Sequence, residues 1–205
     1  MSTTNKIIAA LLVLTAFISG TVFMYQGLRI ARTQPAFATI WPAPRPLPEF
    51  SLKDHSGHEF TTDSLRGHWS LLFFGFTHCP DICPATLQQL AIANSRLKES
   101  GKETPDIILV SVDPERDTPE AMGQYVSHFG SEIRGVTGEI SELTKLTSAG
   151  GIFFAKSELP EGGYSVDHSA AVLLINDDGA IHASFSGPHD IDNFVSDVPV
   201  LMGSR

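Results

Sequence analysis

Four apolar runs dominate the chain, and they differ in length and in what surrounds them. The first, Ile7 to Leu28, is 22 residues without a charge, bracketed by Lys6 and Arg29. As a helix it would be about 33 Å long, close to the hydrocarbon thickness of a bilayer. A core helix of that length carries a polar stripe, and Thr15, Ser19, Thr21 and Gln26 are too scattered to form one. The run predicts a transmembrane anchor over 7–28, after a short tail over 1–6. A cleaved signal peptide is the rival reading. Ala36-Phe37-Ala38 has the A-x-A form, but it lies well past a run that is already longer than a signal core.

The other three runs are short. Leu71–Phe76 and Ile107–Val112 read as strands buried on both faces, and His168–Ile175 as a third central strand. Helical spacing of Leu87, Leu90, Ala91, Asn94 and Leu97 predicts a helix from about Pro80–Pro84 to Lys98. Thr118-Pro119-Glu120 supplies a cap, a first-position proline and an early acid, so a second helix runs from there to near Phe129. A third fits Glu139–Ala149 before Gly150-Gly151, and a last one Ile191–Met202. Phe50–Thr61 reads as a hairpin, and Asn176–Gly179 as the turn of another whose return strand is Ala180–Phe185. Strand–helix–strand units closed by a hairpin and a helix make a mixed α/β sheet. The order matches a thioredoxin-like fold with an added N-terminal hairpin and an inserted helix. That domain is assigned to residues 49–205. Residues 29–48, rich in proline, are assigned to a linker whose Gln34–Pro48 stretch would reach up to ~45 Å.

Composition narrows the partners. All 23 acidic residues of this 205-residue chain lie from Glu49 onward, facing ten bases there, so the domain repels phosphates and nucleic acid is excluded as a partner. Arg29, Arg32 and Arg45 follow the apolar run while only Lys6 precedes it. Charge bias alone would therefore put the domain in the cytoplasm. The cysteines argue for the opposite side.

There are two, Cys79 and Cys83, where a strand ends and a helix begins. Ligands bind at that edge of an open α/β sheet, and the helix N-terminus favours the thiolate. Two soft sulfurs on one side of a helical turn suit Cu(I) or Zn(II), or close into a disulfide. A disulfide over so short a loop removes little unfolded-state entropy, so stabilisation alone explains the pair poorly. A metal would need a third ligand, and eight histidines compete: His55, His58, His68, His78, His128, His168, His182 and His189. His168 stands apart because it opens a buried strand facing the cysteine turn, though position alone does not single it out.

Three blocks then resemble the Sco/SenC proteins: Phe76-Thr-His-Cys-Pro-Asp-Ile-Cys-Pro84, Val112-Asp-Pro-Glu-Arg-Asp-Thr-Pro119 and Val166-Asp-His-Ser-Ala170. The resemblance extends over essentially the whole chain. It implies a copper ion, Cu(I) or Cu(II), held by Cys79, Cys83 and His168. It further implies service in assembling the CuA centre of cytochrome c oxidase, as copper donor, as thiol reductant of the acceptor cysteines, or both. The implied partners are the oxidase subunit carrying CuA, a further periplasmic copper chaperone, and the membrane through the N-terminal helix. The implied place is the outer face of a bacterial inner membrane, since no Arg- and Ser-rich transit peptide is present. Within this reading Arg116 is positioned to pair with Asp81 or Asp113, and Asp167 to orient the His168 ring.

Competing readings meet obstacles. Thiol–disulfide oxidoreductases of this fold use C-x-x-C and a cis-proline before the following strand; here the spacer has three residues and no proline falls between Glu161 and Gly187. A peroxidase of this type has a Thr three residues before its reactive Cys, where this chain has Phe76 and Pro80. A structural zinc site is normally closed by four protein ligands. A sensor role for the same site stays open. The expected character is therefore a metallochaperone, not an enzyme.

Overall fold

The structure is a computed structural model that describes residues 3–31 and 34–203. Helix α1 (Thr3–Ala31) comes first, its described apolar side chains exposed. Among the described residues no helix is long and apolar enough to cross a membrane, so the anchor rests on the sequence pattern. There follow β1 (Thr39–Pro46), β2 (Ser51–Asp54), β3 (Glu59–Thr61), β4 (Ser70–Gly75), α2 (Ile82–Glu99), β5 (Asp106–Ser111) and α3 (Pro119–Ser127). The remainder is β6 (Ile133–Thr137), α4 (Ile140–Gly150), β7 (Phe154–Glu158), β8 (Tyr164–His168), β9 (Val172–Ile175), β10 (Ala180–Phe185) and α5 (Ile191–Gly203).

Eight strands form one mixed sheet in the order β1-β10-β9-β4-β5-β6-β2-β3. β4, β5 and β6 run parallel, and β9, β10 and β1 alternate in direction beside them. The continuous apolar runs occupy the centre, where every residue of β4 is buried, because helices cover both faces and leave no solvated side. Thr118 caps α3 by accepting the Ala121 N–H at 3.2 Å, and Gly151 ends α4 at φ 66°, a left-handed conformation that glycine adopts without strain.

Two expectations need correction. The first is the linker: Thr39–Pro46 pairs with β10, and Leu47 and Phe50 are buried. Proline is tolerated because β1 is an edge strand with one neighbour, and a register irregularity between Ile40 and Arg45 takes up Pro42 and Pro44. Before the strand, the buried Asp197 carboxylate of α5 accepts N–H groups from Ala36 (3.0 Å), Phe37 (2.7 Å) and Ala38 (2.8 Å). The second is the strand expected over 168–175. His168 instead ends β8, which pairs only with β7 in a separate two-stranded sheet, and the central strand starts at Val172. Ser169 switches ladders: its N–H donates to Phe153 O at 2.9 Å, while its Oγ accepts the Phe153 N–H at 3.0 Å. The sequence pattern also carries no strand signal for β6, because Arg134 and Gly135 interrupt its apolar run.

Candidate metal centre

The cysteines lie at the C-terminal end of β4, in the turn that opens α2. Pro84 takes the third position of α2, where a missing N–H costs no helical bond. Cys83 is fully buried and Cys79 partly exposed, and both are free thiols. The Cys83 N–H points at Cys79 Sγ, 3.4 Å away. Hairpin β7–β8 brings in the third group: His168 Nε2 lies 3.4 Å from Cys83 Sγ. The donor atoms of Cys79, Cys83 and His168 all fall within 4.8 Å of one another. A single ion with metal–sulfur bonds of about 2.3 Å and a metal–nitrogen bond of about 2.0 Å separates three donors by roughly 3.5–4 Å, so this triangle needs little adjustment. Two sulfurs and one imidazole form a soft set suited to copper.

Electrostatics divide the two thiols. A hydrogen bond from Cys83, then one from His168 and the N–H groups of Asp81 and Cys83, outweigh burial and lower the Cys79 pKa to about 4. Cys83 is pushed up strongly, by holding its proton toward Cys79 and by burial. One thiolate and one thiol therefore share a proton. The His168 ring is oriented by its own neighbour: Nδ1 faces the Ser169 carbonyl at 3.1 Å. A carbonyl only accepts, so Nδ1 donates there and Nε2 is the nitrogen turned toward the sulfurs. Phe73 and Phe76 pack edge-on against the ring at centroid distances of 6.2 and 5.8 Å.

Of the surrounding acids, Asp167 differs from expectation and Asp113 meets it. Asp167 accepts from Ser157 Oγ and does not orient the His168 ring, since a residue adjacent along a strand points to the opposite side. Arg116 pairs with Asp113 and not with Asp81, which stands at the N-cap of α2 with its backbone turned to Cys79. Asp113, fully buried, also accepts the Tyr164 hydroxyl at 2.8 Å, and the Arg116 guanidinium lies 3.9 Å above the Tyr164 ring and donates to the Tyr164 carbonyl at 3.1 Å. This clamp fastens β8, and with it His168, to the end of β5.

Two supports escaped the sequence. Asp117 is fully buried and accepts the Thr77 hydroxyl at 2.6 Å and the Ser111 hydroxyl at 2.7 Å, pinning the cysteine loop to β5. Its contact with Thr77 spans 40 residues, so no local signal marks it. Burial raises its pKa, partly offset by those hydrogen bonds. Gly75 is the second: a Cβ there would lie 2.8 Å from Cys83 Sγ, so only glycine leaves room for the sulfur. Glycine ending an apolar strand just before the cysteine loop was the available clue.

Known proteins share this architecture. A family model described as SCO1/SenC matches residues 41–203. A Stutzerimonas stutzeri protein named for copper binding is 33% identical over 177 residues, covering 86% of this chain and 87% of its own. Protein SCO1 homolog 1, mitochondrial, of Arabidopsis thaliana is 36% identical over 73% of this chain, which spans 45% of that relative's length. The crystal structure of Arabidopsis thaliana ScoI with copper bound superposes with a TM-score of 0.73 at 34% identity, covering 77% of this chain and 98% of that one.

Proposed function

The chain belongs to the SCO1/SenC family, and on that premise we propose that it is a copper metallochaperone serving assembly of the CuA centre of cytochrome c oxidase. Its cargo is one copper ion, held by Cys79, Cys83 and His168. The observation that carries the reading is the convergence of two sulfurs and an imidazole nitrogen within 4.8 Å. The copper-bound state of the Arabidopsis relative supports it.

The chain's residues divide the work. Cys79, ionised and partly exposed, is the sulfur that meets an incoming ion or an acceptor ligand. Cys83 and His168 complete the site from within. Three donors leave copper coordinatively short, so an acceptor's thiolates can join before these leave. Copper delivery of this kind makes the protein a carrier and not an enzyme. The apolar run over 7–28 supports a single-pass anchor in a bacterial inner membrane. The domain then faces the periplasm, where the oxidase's CuA subunit and a further copper chaperone are its partners.

One observation favours a second reading. A free dithiol with one thiolate held to a pKa of about 4 is also a thiol–disulfide reductant, able to reduce acceptor cysteines without delivering metal. His168→Ala separates the two. It abolishes tight copper binding, read by X-ray absorption and stoichiometry on the soluble domain, while leaving the cysteine cycle intact. Full oxidase assembly by that variant would overturn the donor reading in favour of the reductant.

A further inference from the structure

Outside α1, six large hydrophobic side chains are exposed among the described residues: Phe37, Ile40, Ile82, Ile140, Phe153 and Leu159, each between 44% and 63% accessible. They come from distant parts of the chain, yet strand direction brings them to one place. β4, β5 and β6 all end at the edge carrying the cysteines. Ile82 opens α2 there, and Ile140 opens α4 just after β6. Phe153 precedes the residue paired with His168, and Leu159 lies at the far turn of the same hairpin, whose Lys156 reaches Glu115 just beyond β5. β1 runs antiparallel to β10, which is antiparallel to β9, itself antiparallel to β4. The first residues of β1, and Phe37 before them, therefore lie at that edge too. Among the described residues outside α1, no comparable side chain lies at the opposite edge. Scattered exposed hydrophobics need no explanation, but a set confined to the edge that bears a metal site does.

Charge selects the occupant. The exposed acids Asp81, Glu115, Glu139, Glu161 and Asp167 stand at this edge; of its bases, Arg116 and Lys156 are engaged with Asp113 and Glu115, and Lys53 stands opposite Glu59 on β3. Such a rim repels anionic lipid headgroups and fits a cationic protein surface. Reach selects where that protein sits. Only five peptide steps separate Ala31, the end of α1, from Ala36, which Asp197 fastens to the domain. Five steps span at most ~18 Å. β1 is three strands from β4, about 14 Å across the sheet. An anchor over 7–28 thus keeps the cysteine edge close to the bilayer that holds it.

We infer that this edge is the docking face for the copper acceptor, a protein held in the same bilayer whose own surface is apolar at the centre and cationic at the rim. The inference rests on the copper-donor reading and on the anchor. Transfer across this face is ligand exchange: acceptor thiols bind copper as thiolates, their protons pass to the departing Cys79 and Cys83 thiolates, and copper keeps its oxidation state.

The test uses the full chain loaded with Cu(I) in lipid nanodiscs, with the purified apo CuA subunit as acceptor. The double variant Ile140→Ser, Leu159→Ser, neither residue touching the donors, should keep copper affinity within twofold and slow transfer at least tenfold. Lys102→Ser, on an exposed residue of the opposite edge, should transfer at the unaltered rate. A double variant that transfers normally overturns the inference. So does p-benzoylphenylalanine at position 153 crosslinking to lipid instead of to the acceptor. Donor and acceptor in one disc should exchange at least tenfold faster than in separate discs, and equal rates overturn the shared-bilayer clause. An unaltered chain that binds no copper, or passes none on, refutes the donor reading itself.

Discussion

Gly75→Ala is the sharpest perturbation of the site that leaves its three donors in place. The added methyl would sit 2.8 Å from Cys83 Sγ, 3.2 Å from a Phe73 ring carbon and 3.3 Å from a Leu109 methyl. Ordinary contact begins near 3.6 Å, so the sulfur has to retreat by about 0.8 Å, several times the ~0.2 Å tolerance of a metal–ligand bond. Phe73 and Leu109 are fully buried and cannot yield freely. Overpacking of this kind costs about 1–3 kcal/mol, which lowers the melting temperature of a domain this size by roughly 3–10 °C. Copper affinity should fall on the order of 10–100-fold, as when supporting contacts around metal ligands are lost. Thermal melts of the apo domain and chelator competition for copper read the two effects. Gly123→Ala is the control: its nearest neighbour is the His55 side chain at 3.5 Å, and alanine inside α3 should stabilise by about 0.5–1 kcal/mol. If Gly75→Ala melts within a degree of the unaltered protein and binds copper equally well, Cys83 does not depend on the space at Gly75.

Two further outcomes follow from the same geometry. With its pKa held to about 4, Cys79 stays ionised well below neutrality, so iodoacetamide should alkylate the reduced protein nearly as fast at pH 5.5 as at pH 8. An unperturbed thiol would slow about 200-fold over that range. Cys83→Ala removes the largest cause of the lowering and should shift the profile upward; an unshifted profile would contradict the shared proton. Arg116→Ala leaves the buried Asp113 carboxylate without its ion-pair partner and should cost about 3–5 kcal/mol in urea denaturation, with faster hydrogen exchange in β7 and β8. A loss within about 0.5 kcal/mol would mark Arg116 as an ordinary surface residue.

The central strands were legible because burial on both faces writes a continuous apolar run, as in β4 and β5. The cysteine turn was legible from its place between a buried strand and a helix, although Cys79 falls in the loop before α2 and only Cys83 in its first turn. That His168 joins it was not readable from position alone and came from the resemblance of three blocks. What escaped depends on partners far along the chain. Pro42, Pro44 and Pro46 argue against a strand until an edge position beside β10 makes their missing N–H groups harmless. The break at Ser169 exists only because Phe153 pairs with it. Asp167 misled by adjacency, whereas the group that orients the ring is a backbone carbonyl, which carries no residue-type signature.

The carboxylate of Asp197 has a mechanical meaning. Any tension along the chain from α1 arrives first at three amides gripped by one side chain of the last helix, and only then at the β1–β10 ladder. A thermal tug on the tether is thus borne by the outermost strand and α5, and the turn bearing the sulfurs carries none of the load.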